Sequence, residues 1–110
     1  MAENIKILGQ QTPGAGGVPT LAYSTPGATS TVMSSLIITN TNATRVLVRV
    51  YVVPSGGSAL ITNAIYYDLP ITGNNTLIAT VGLTLGALDD IFVRSDTANV
   101  NFQFFGTEVS

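Results

Sequence analysis

The most constraining feature of this sequence is a strict alternation of residue types over residues 44–53. Every second position is a valine: Val46, Val48, Val50 and Val52. A period of two places these side chains on one face of an extended strand, and valine packs well on a pleated surface. The intervening positions form the opposite face: Arg45, Leu47, Arg49, Tyr51 and Val53. The alternation predicts a strand with its valine face in the core and its arginine face toward solvent or a partner.

Seven further segments have the β-branched and apolar character of strands, and turns rich in Gly, Pro and Asn separate them. They are residues 5–8, 20–24, 31–39, 64–69, 76–81, 91–95 and 100–105. Helical character is limited to one short turn within residues 58–65. Short strands at a spacing of about ten residues are typical of an antiparallel sandwich or barrel. The sequence therefore predicts an all-β fold, a single antiparallel β-sandwich of jelly-roll-like or Greek-key type.

The same patterns predict faces and ends of individual strands. One face of the 31–39 segment carries Val32, Leu36 and Ile38, and the other carries Met33 and Ile37. One face of the last segment carries Val100, Phe102 and Phe104. We expect Pro70 and Gly106 to end their strands and residues 82–90 to form an irregular corner.

The N-terminal part differs from the rest. Residues 10–19 contain two prolines and three glycines without periodicity, which is typical of an extended or mobile segment. We therefore predict an extended N-terminal arm over residues 1–19 and a β-sandwich domain over residues 20–110. Such an arm can order on a partner, and the contact residues expected in it are Ile5, Ile7, Leu8 and Gln10.

The composition argues against catalysis. The chain has no histidine, cysteine or tryptophan, and 10 of its 110 residues are formally charged, 4 basic and 6 acidic. A Ser-His or Cys-His nucleophile is therefore impossible, and we predict no enzyme activity, no metal site and no cofactor. A net charge of −2 disfavours nucleic-acid binding. No stretch reaches the length of a membrane span, and residues 1–6 lack a signal-peptide pattern, so we expect synthesis in the cytoplasm and no membrane partner.

Two weaker sites are alternatives to a purely structural role. Asp89, Asp90 and Asp96 offer oxygen ligands for calcium, without the dense spacing of a calcium loop. Tyr23, Tyr51, Tyr66 and Tyr67 could stack on sugars, although tyrosines on strands more often pack on a sheet. Neither pattern is specific, and polar turns and sheet packing explain both.

The arginine face is a stronger candidate for binding. Arg45 and Arg49 lie on one side of the predicted strand together with Tyr51. Arginine and tyrosine are enriched at protein interfaces. Solvated partners for carboxylates would explain the arginines equally well, so a partner contact remains one of two readings.

Short sequence blocks along nearly the whole chain resemble a family of small virion structural proteins of tailed bacteriophages, including phages of cyanobacteria. They are ILGQQTP at 7–13, LAYSTP at 21–26, SSLIITN at 34–40, YDLPI at 67–71, GLTL at 82–85, DDI at 89–91 and FFGTE at 104–108. The resemblance implies a β-sandwich protein present in many copies on the particle, and it transfers no catalytic residue.

From the resemblance and the low charge we expect a capsid decoration or cement protein on the virion surface, bound to the major capsid protein. The expected oligomer is a homotrimer. The first alternative is a structural module of the tail, baseplate or fibre, and the second is a carbohydrate-binding module.

Overall fold

Eight antiparallel strands and one short 3-10 turn make up the regular structure of the computed structural model, which describes residues 2–110. The strands are β1 (Glu3–Gln11), β2 (Thr20–Ser24), β3 (Ser30–Asn40), β4 (Val46–Val53), β5 (Ala64–Ile71), β6 (Thr76–Leu85), β7 (Asp90–Ser95) and β8 (Val100–Val109). The 3-10 turn, Ile61–Asn63, lies within the segment for which one helical turn was predicted. Each predicted strand is present, and the predicted β-sandwich is confirmed.

The strand order identifies the type of sandwich. The first sheet has the order β1-β8-β3-β6, and the second has the order β2-β7-β4-β5. Strands therefore pair as 1 with 8, 2 with 7, 3 with 6 and 4 with 5. This nested pairing, as if one long hairpin were rolled up, is the jelly roll. It decides between the two topologies that the sequence left open.

The core lies between the sheets and contains the rows that the alternation predicted. Val46, Val48 and Val50 are fully buried, and Val52 packs against the same cluster. The first sheet contributes Phe102 and Phe104 of β8, which are also fully buried. Both predicted rows are confirmed, because a regular period of two survives in these central strands.

In β3 the predicted faces are wrong over the first half of the strand. The pairing of β3 with both neighbours shifts between Met33 and Ser35. A β-bulge inserts one residue and exchanges the two faces beyond it. Met33 is therefore buried together with Leu36 and Ile38, whereas Val32 is exposed.

Both predicted strand ends are wrong, and part of the predicted corner belongs to a strand. Gly106 lies inside β8 and does not end it. A Cβ at this position would overlap the carbonyl oxygen of Val32 on β3, so the glycine allows a close approach of the two backbones. Pro70 lies within β5, an edge strand of the second sheet, and edge strands are where a sheet tolerates proline. β6 continues through residues 82–85 of the predicted corner.

The N-terminal segment is part of the sandwich. Residues 3–11 form β1 and pair with β8 from Glu3↔Val109 to Gln11↔Phe102. The expected arm is thus replaced by an edge strand of the first sheet, and only residues 12–19 form an irregular connection to β2. The alternation in residues 5–8 was too short to predict the nine-residue strand, since it is interrupted by a bulge between Ile7 and Gly9.

Polar side chains tie the sheets together at both ends of the sandwich. At one end the Tyr23 hydroxyl contacts Thr31 Oγ1 at 2.8 Å and donates to Glu108 Oε2 at 2.5 Å. At the other end the buried amide of Asn40 donates to the backbone oxygens of Thr44 and Ile71. These bonds satisfy buried polar groups and fix the relative position of the sheets.

Candidate interaction surfaces

The outer face of the first sheet is a candidate contact surface, and its central residues carry no charge. Strand alternation and register place side chains of all four strands on it. We call it the uncharged face and define it by Ile5, Ile7, Gln10, Val32, Ser35, Ile37, Ile78, Thr80, Thr84, Gln103, Phe105 and Thr107. Among residues 2–110, Glu3 at the start of β1 is the one charged side chain that the alternation places on this side of the sheet, at its margin.

Apolar side chains form a diagonal stripe across this uncharged face. Ile7 is the register partner of Phe105, and Ile37 is the register partner of Ile78. Ile5 is 87% exposed and Ile78 is 71% exposed, although both are large hydrophobic side chains. Hydroxyl and amide groups flank the stripe. Contiguous apolar surface with a polar border is typical of a protein-binding surface.

The outer face of the second sheet has a different chemistry, and we call it the charged face. Arg49 on β4 binds Asp68 on β5 through two hydrogen bonds, Nε–Oδ1 at 2.6 Å and Nη2–Oδ2 at 3.1 Å. Its guanidinium also stacks on Tyr67, 3.7 Å from the ring centroid. Arg94 on β7 is the register partner of Arg49, so two like charges lie on adjacent strands.

A bulge in β5 positions the carboxylate of this pair. The β4–β5 register shifts between Val48 and Val50, and Asp68 has a φ of 53°. Aspartate tolerates this left-handed conformation better than most residues. The hydrogen bond from Arg49 lowers the pKa of Asp68 and raises the pKa of the guanidinium. The arginine is therefore held by its own chain.

Part of the charged face is a second buried layer. Tyr51 is 3% exposed and Val53 is fully buried, yet neither belongs to the core cluster between the sheets. The 3-10 turn contacts β4, and Gly57 lies against Val53. The segment after β4 thus folds back over the strand. The expectation that this whole row meets solvent or a partner is wrong for these two residues.

The structure separates the predicted contact residues. Ile5, Ile7 and Gln10 lie together on the uncharged face and are exposed. Leu8 is buried in the core, because the β1 bulge turns it inward. The remaining predicted residues lie with the second sheet: Arg45 is exposed just before β4, Arg49 is paired with Asp68, and Tyr51 is buried.

Sequence reasoning missed the other half of the uncharged face. Ile78 and Thr80 lie on β6, where exposed and half-buried residues alternate, and Phe105 lies on β8. The alternation was readable in the sequence. Its significance depended on knowing that β6 and β1 belong to the same sheet.

The weaker alternatives gain no assembled site. Asp89 accepts hydrogen bonds from the backbone N–H groups of Ser55 and Gly86, and Asp96 accepts one from that of Leu47. Among residues 2–110 no three acidic, histidine or cysteine side chains cluster as they would around a metal ion. Tyr66 packs against the core, and Arg49 covers one face of the Tyr67 ring, so the two tyrosines form no common sugar platform.

Tyr23, whose hydroxyl links the two sheets, has a strongly shifted pKa. Burial, reinforced by the hydrogen bond to Glu108, raises the pKa of Tyr23 to about 12. The same hydrogen bond, followed by that from Lys6, lowers the pKa of Glu108. Both shifts favour a neutral phenol beside an ionised carboxylate, as expected of a hydrogen bond with a structural role.

One polar cleft borders the uncharged face. It has a volume of about 360 Å³ and is lined by Gln10, Gln11, Thr12, Asn101, Phe102 and Gln103. Two of these groups are already engaged, since Gln11 Nε2 donates to the backbone oxygen of Leu21 and Thr12 Oγ1 donates to Asn101 Oδ1.

In the described part of the chain, no helix is both long and apolar enough to span a membrane.

Comparison with known proteins finds similarity of fold. A chain in the structure of infectious bursal disease virus, Gx strain, is similar over 98% of this chain and 32% of its own length, with 13% identity and a TM-score of 0.50. A chain in the crystal structure of the T13 particle of that virus is similar over 96% and 30%, with 11% identity and a TM-score of 0.51. This chain thus spans about a third of the viral chains' length, and at such identity the likeness concerns the fold alone. No family model and no characterised protein matches the sequence.

Proposed function

We propose that this chain is a structural subunit of a virus particle and that it acts without catalysis. The observation that carries the proposal is the uncharged face of the first sheet. Ile5 and Ile78 are largely exposed on it, and burial against a partner would remove that apolar surface from water. The fold of this chain is similar to that of chains from a virus particle, and this similarity supports the same role.

Within the particle, the proposed role is decoration of the outer capsid surface, with the major capsid protein as partner. Hydroxyl and amide side chains around the apolar stripe can form hydrogen bonds of about 1 kcal/mol net each. Many identical copies on a repeating surface add modest contacts into stable occupancy. The resemblance of the sequence blocks to small phage virion proteins supports this finer proposal.

Location on the particle tests the role directly. Virions that incorporate an epitope-tagged copy are labelled with gold and imaged. We expect label on the head. Label confined to the tail would replace decoration by a tail, baseplate or fibre role, and absence of the protein from purified virions would overturn the virion proposal.

A pair of matched variants tests the surface. Deletion of the N-terminal segment is unsuitable, because residues 3–11 form β1. Ile7→Lys places a charge on the uncharged face, whereas Ile61→Lys makes the same change at an exposed isoleucine outside it. We expect Ile7→Lys to weaken binding to undecorated capsids at least about tenfold and Ile61→Lys to bind normally. Equal binding by both variants would exclude the uncharged face as the capsid contact.

A further inference from the structure

The sandwich has four edge strands, and three of them carry the features that prevent pairing with another chain. β1 carries Lys6, which bonds to Glu108. β2 has 5 residues. β5 contains Pro70 and the bulge at Asp68. Charge, shortness, proline and bulges all protect an exposed sheet edge from other strands.

The fourth edge, β6, has almost none of this protection. It is 10 residues long and contains no charged residue and no proline. Its one irregularity is a bulge, in which Val81 and Gly82 lie opposite Ser34. This bulge leaves the alternation of exposed and inward residues intact from Thr76 to Leu85. Among residues 2–110 no strand pairs with its free side. A long, uncharged edge of this kind is a template for strand addition.

The sequence of β6 is complementary to itself in the antiparallel direction. If Thr80 is placed opposite its own copy, Thr76 faces Thr84 and Leu77 faces Leu83. The register preserves both faces of the sheet, since exposed positions meet exposed positions and inward positions meet inward positions. Register in a sheet depends on this match of faces.

We propose that β6 pairs antiparallel with β6 of a second copy of this chain, across a two-fold axis near Thr80. The two first sheets would then form one continuous sheet of eight strands. The pairing supplies about eight backbone hydrogen bonds, close to the number found in a typical protein interface. It also buries the remaining exposed surface of Leu77 and Leu83, which are half-buried at this side of the sandwich.

Self-pairing fits this edge better than pairing through the charged face. The β6 edge brings no charge near its copy, whereas stacking two charged faces would oppose the neighbouring Arg49 and Arg94 of both copies. Pairing through β6 would also align two uncharged faces side by side. The inference does not depend on the virion role, because it concerns the chain alone in solution.

The mass of the full-length chain tests the proposal, measured by light scattering after size-exclusion chromatography. We expect a dimer for the wild type. Thr80→Lys should yield monomers, because two lysines would face each other across the axis, and Thr80→Glu should do the same. An equimolar mixture of the two variants should restore the dimer through a Lys–Glu pair. Thr62→Lys, an exposed threonine on the 3-10 turn, is the matched control and should remain dimeric.

Three kinds of result would contradict the pairing through β6. A monomeric wild type, or a mass of three chains, overturns the two-fold pairing. So does a Thr80→Lys variant that stays dimeric, or a mixture that stays monomeric while circular dichroism shows both variants folded. None of these results bears on whether the chain is found on virions, which the gold label decides separately.

Discussion

The outer faces of the two sheets start from the same strand alternation and end with different roles. On the second sheet, the chain covers its own surface: Tyr51 and Val53 are buried beneath the segment after β4, and Arg49 is bound by Asp68. On the first sheet, the chain leaves Ile5 and Ile78 exposed. One face is completed within the molecule, and the other remains available for contact with another.

This difference shows where an interaction surface can be sought in a protein with few charges. The charged residues of the second sheet attracted attention in the sequence because arginine is common at interfaces. In the structure Arg49 is satisfied by Asp68 and Tyr67. The surface that lacks internal partners is the one whose residues are individually unremarkable.

The largest expected difference between the faces is in stability. Tyr51→Ala should lower the free energy of unfolding by about 3 kcal/mol, because it removes a buried aromatic side chain. Ile5→Ala should change it by less than about 0.5 kcal/mol, since Ile5 is exposed on the folded chain. Urea unfolding of both variants measures the difference. Similar losses would mean that the two faces are equally covered.

A smaller loss of stability is expected at high pH. It should come from Tyr23, whose hydroxyl links the two sheets, since the residues of the uncharged face include no titrating side chain. The folded-state pKa of Tyr23 is raised from 10.0 to about 12. The folded chain therefore holds the phenolic proton more tightly than the unfolded chain. The contribution of Tyr23 to stability is fully present below pH 10, and about 2 kcal/mol of it is lost as the pH rises to about 12.

The control for this pH effect is Tyr23→Phe, which has no phenolic proton. Its unfolding free energy should fall less steeply than that of the wild type between pH 10 and about 12. Parallel curves for the two proteins would contradict a titration of Tyr23. Unfolding in urea at a series of pH values supplies both curves.

The smallest effect is expected for the ion pair of the charged face. Because Arg49 lowers the pKa of Asp68 from 3.8, its contribution is present above that pH and is lost as the pH falls further. Asp68→Asn should flatten this part of the acid limb, with the lowered pKa of Glu108 accounting for a separate part. The effect should shrink at high salt, as for other exposed pairs. An acid limb unchanged in Asp68→Asn would show that the pair contributes nothing measurable.

Much of the fold was predictable from local patterns. The valine row of β4 and the aromatic row of β8 identified the core, because a period of two leaves little choice of face. β3 was mispredicted, since a bulge between Met33 and Ser35 exchanges its faces. A bulge depends on the neighbouring strands and has no reliable local signature. The N-terminal strand was mistaken for an arm for a similar reason: β1 is stabilised by pairing with β8, at the opposite end of the chain.

The candidate surface was predicted only in part. Ile5, Ile7 and Gln10 were expected to contact a partner, and they do lie on the uncharged face. Leu8 and Tyr51 were also expected to contact a partner, and both are buried within this chain.

The sequence by itself determined that this chain forms strands, that its valines and phenylalanines fill a core, and that it contains neither histidine nor cysteine. These properties depend on residue type and on spacing along the chain. The tertiary structure decided that Ile7 and Ile78 share one surface and that β6 has an open edge. Those properties depend on which distant strands become neighbours, and hydrogen bonding between strands sets that order.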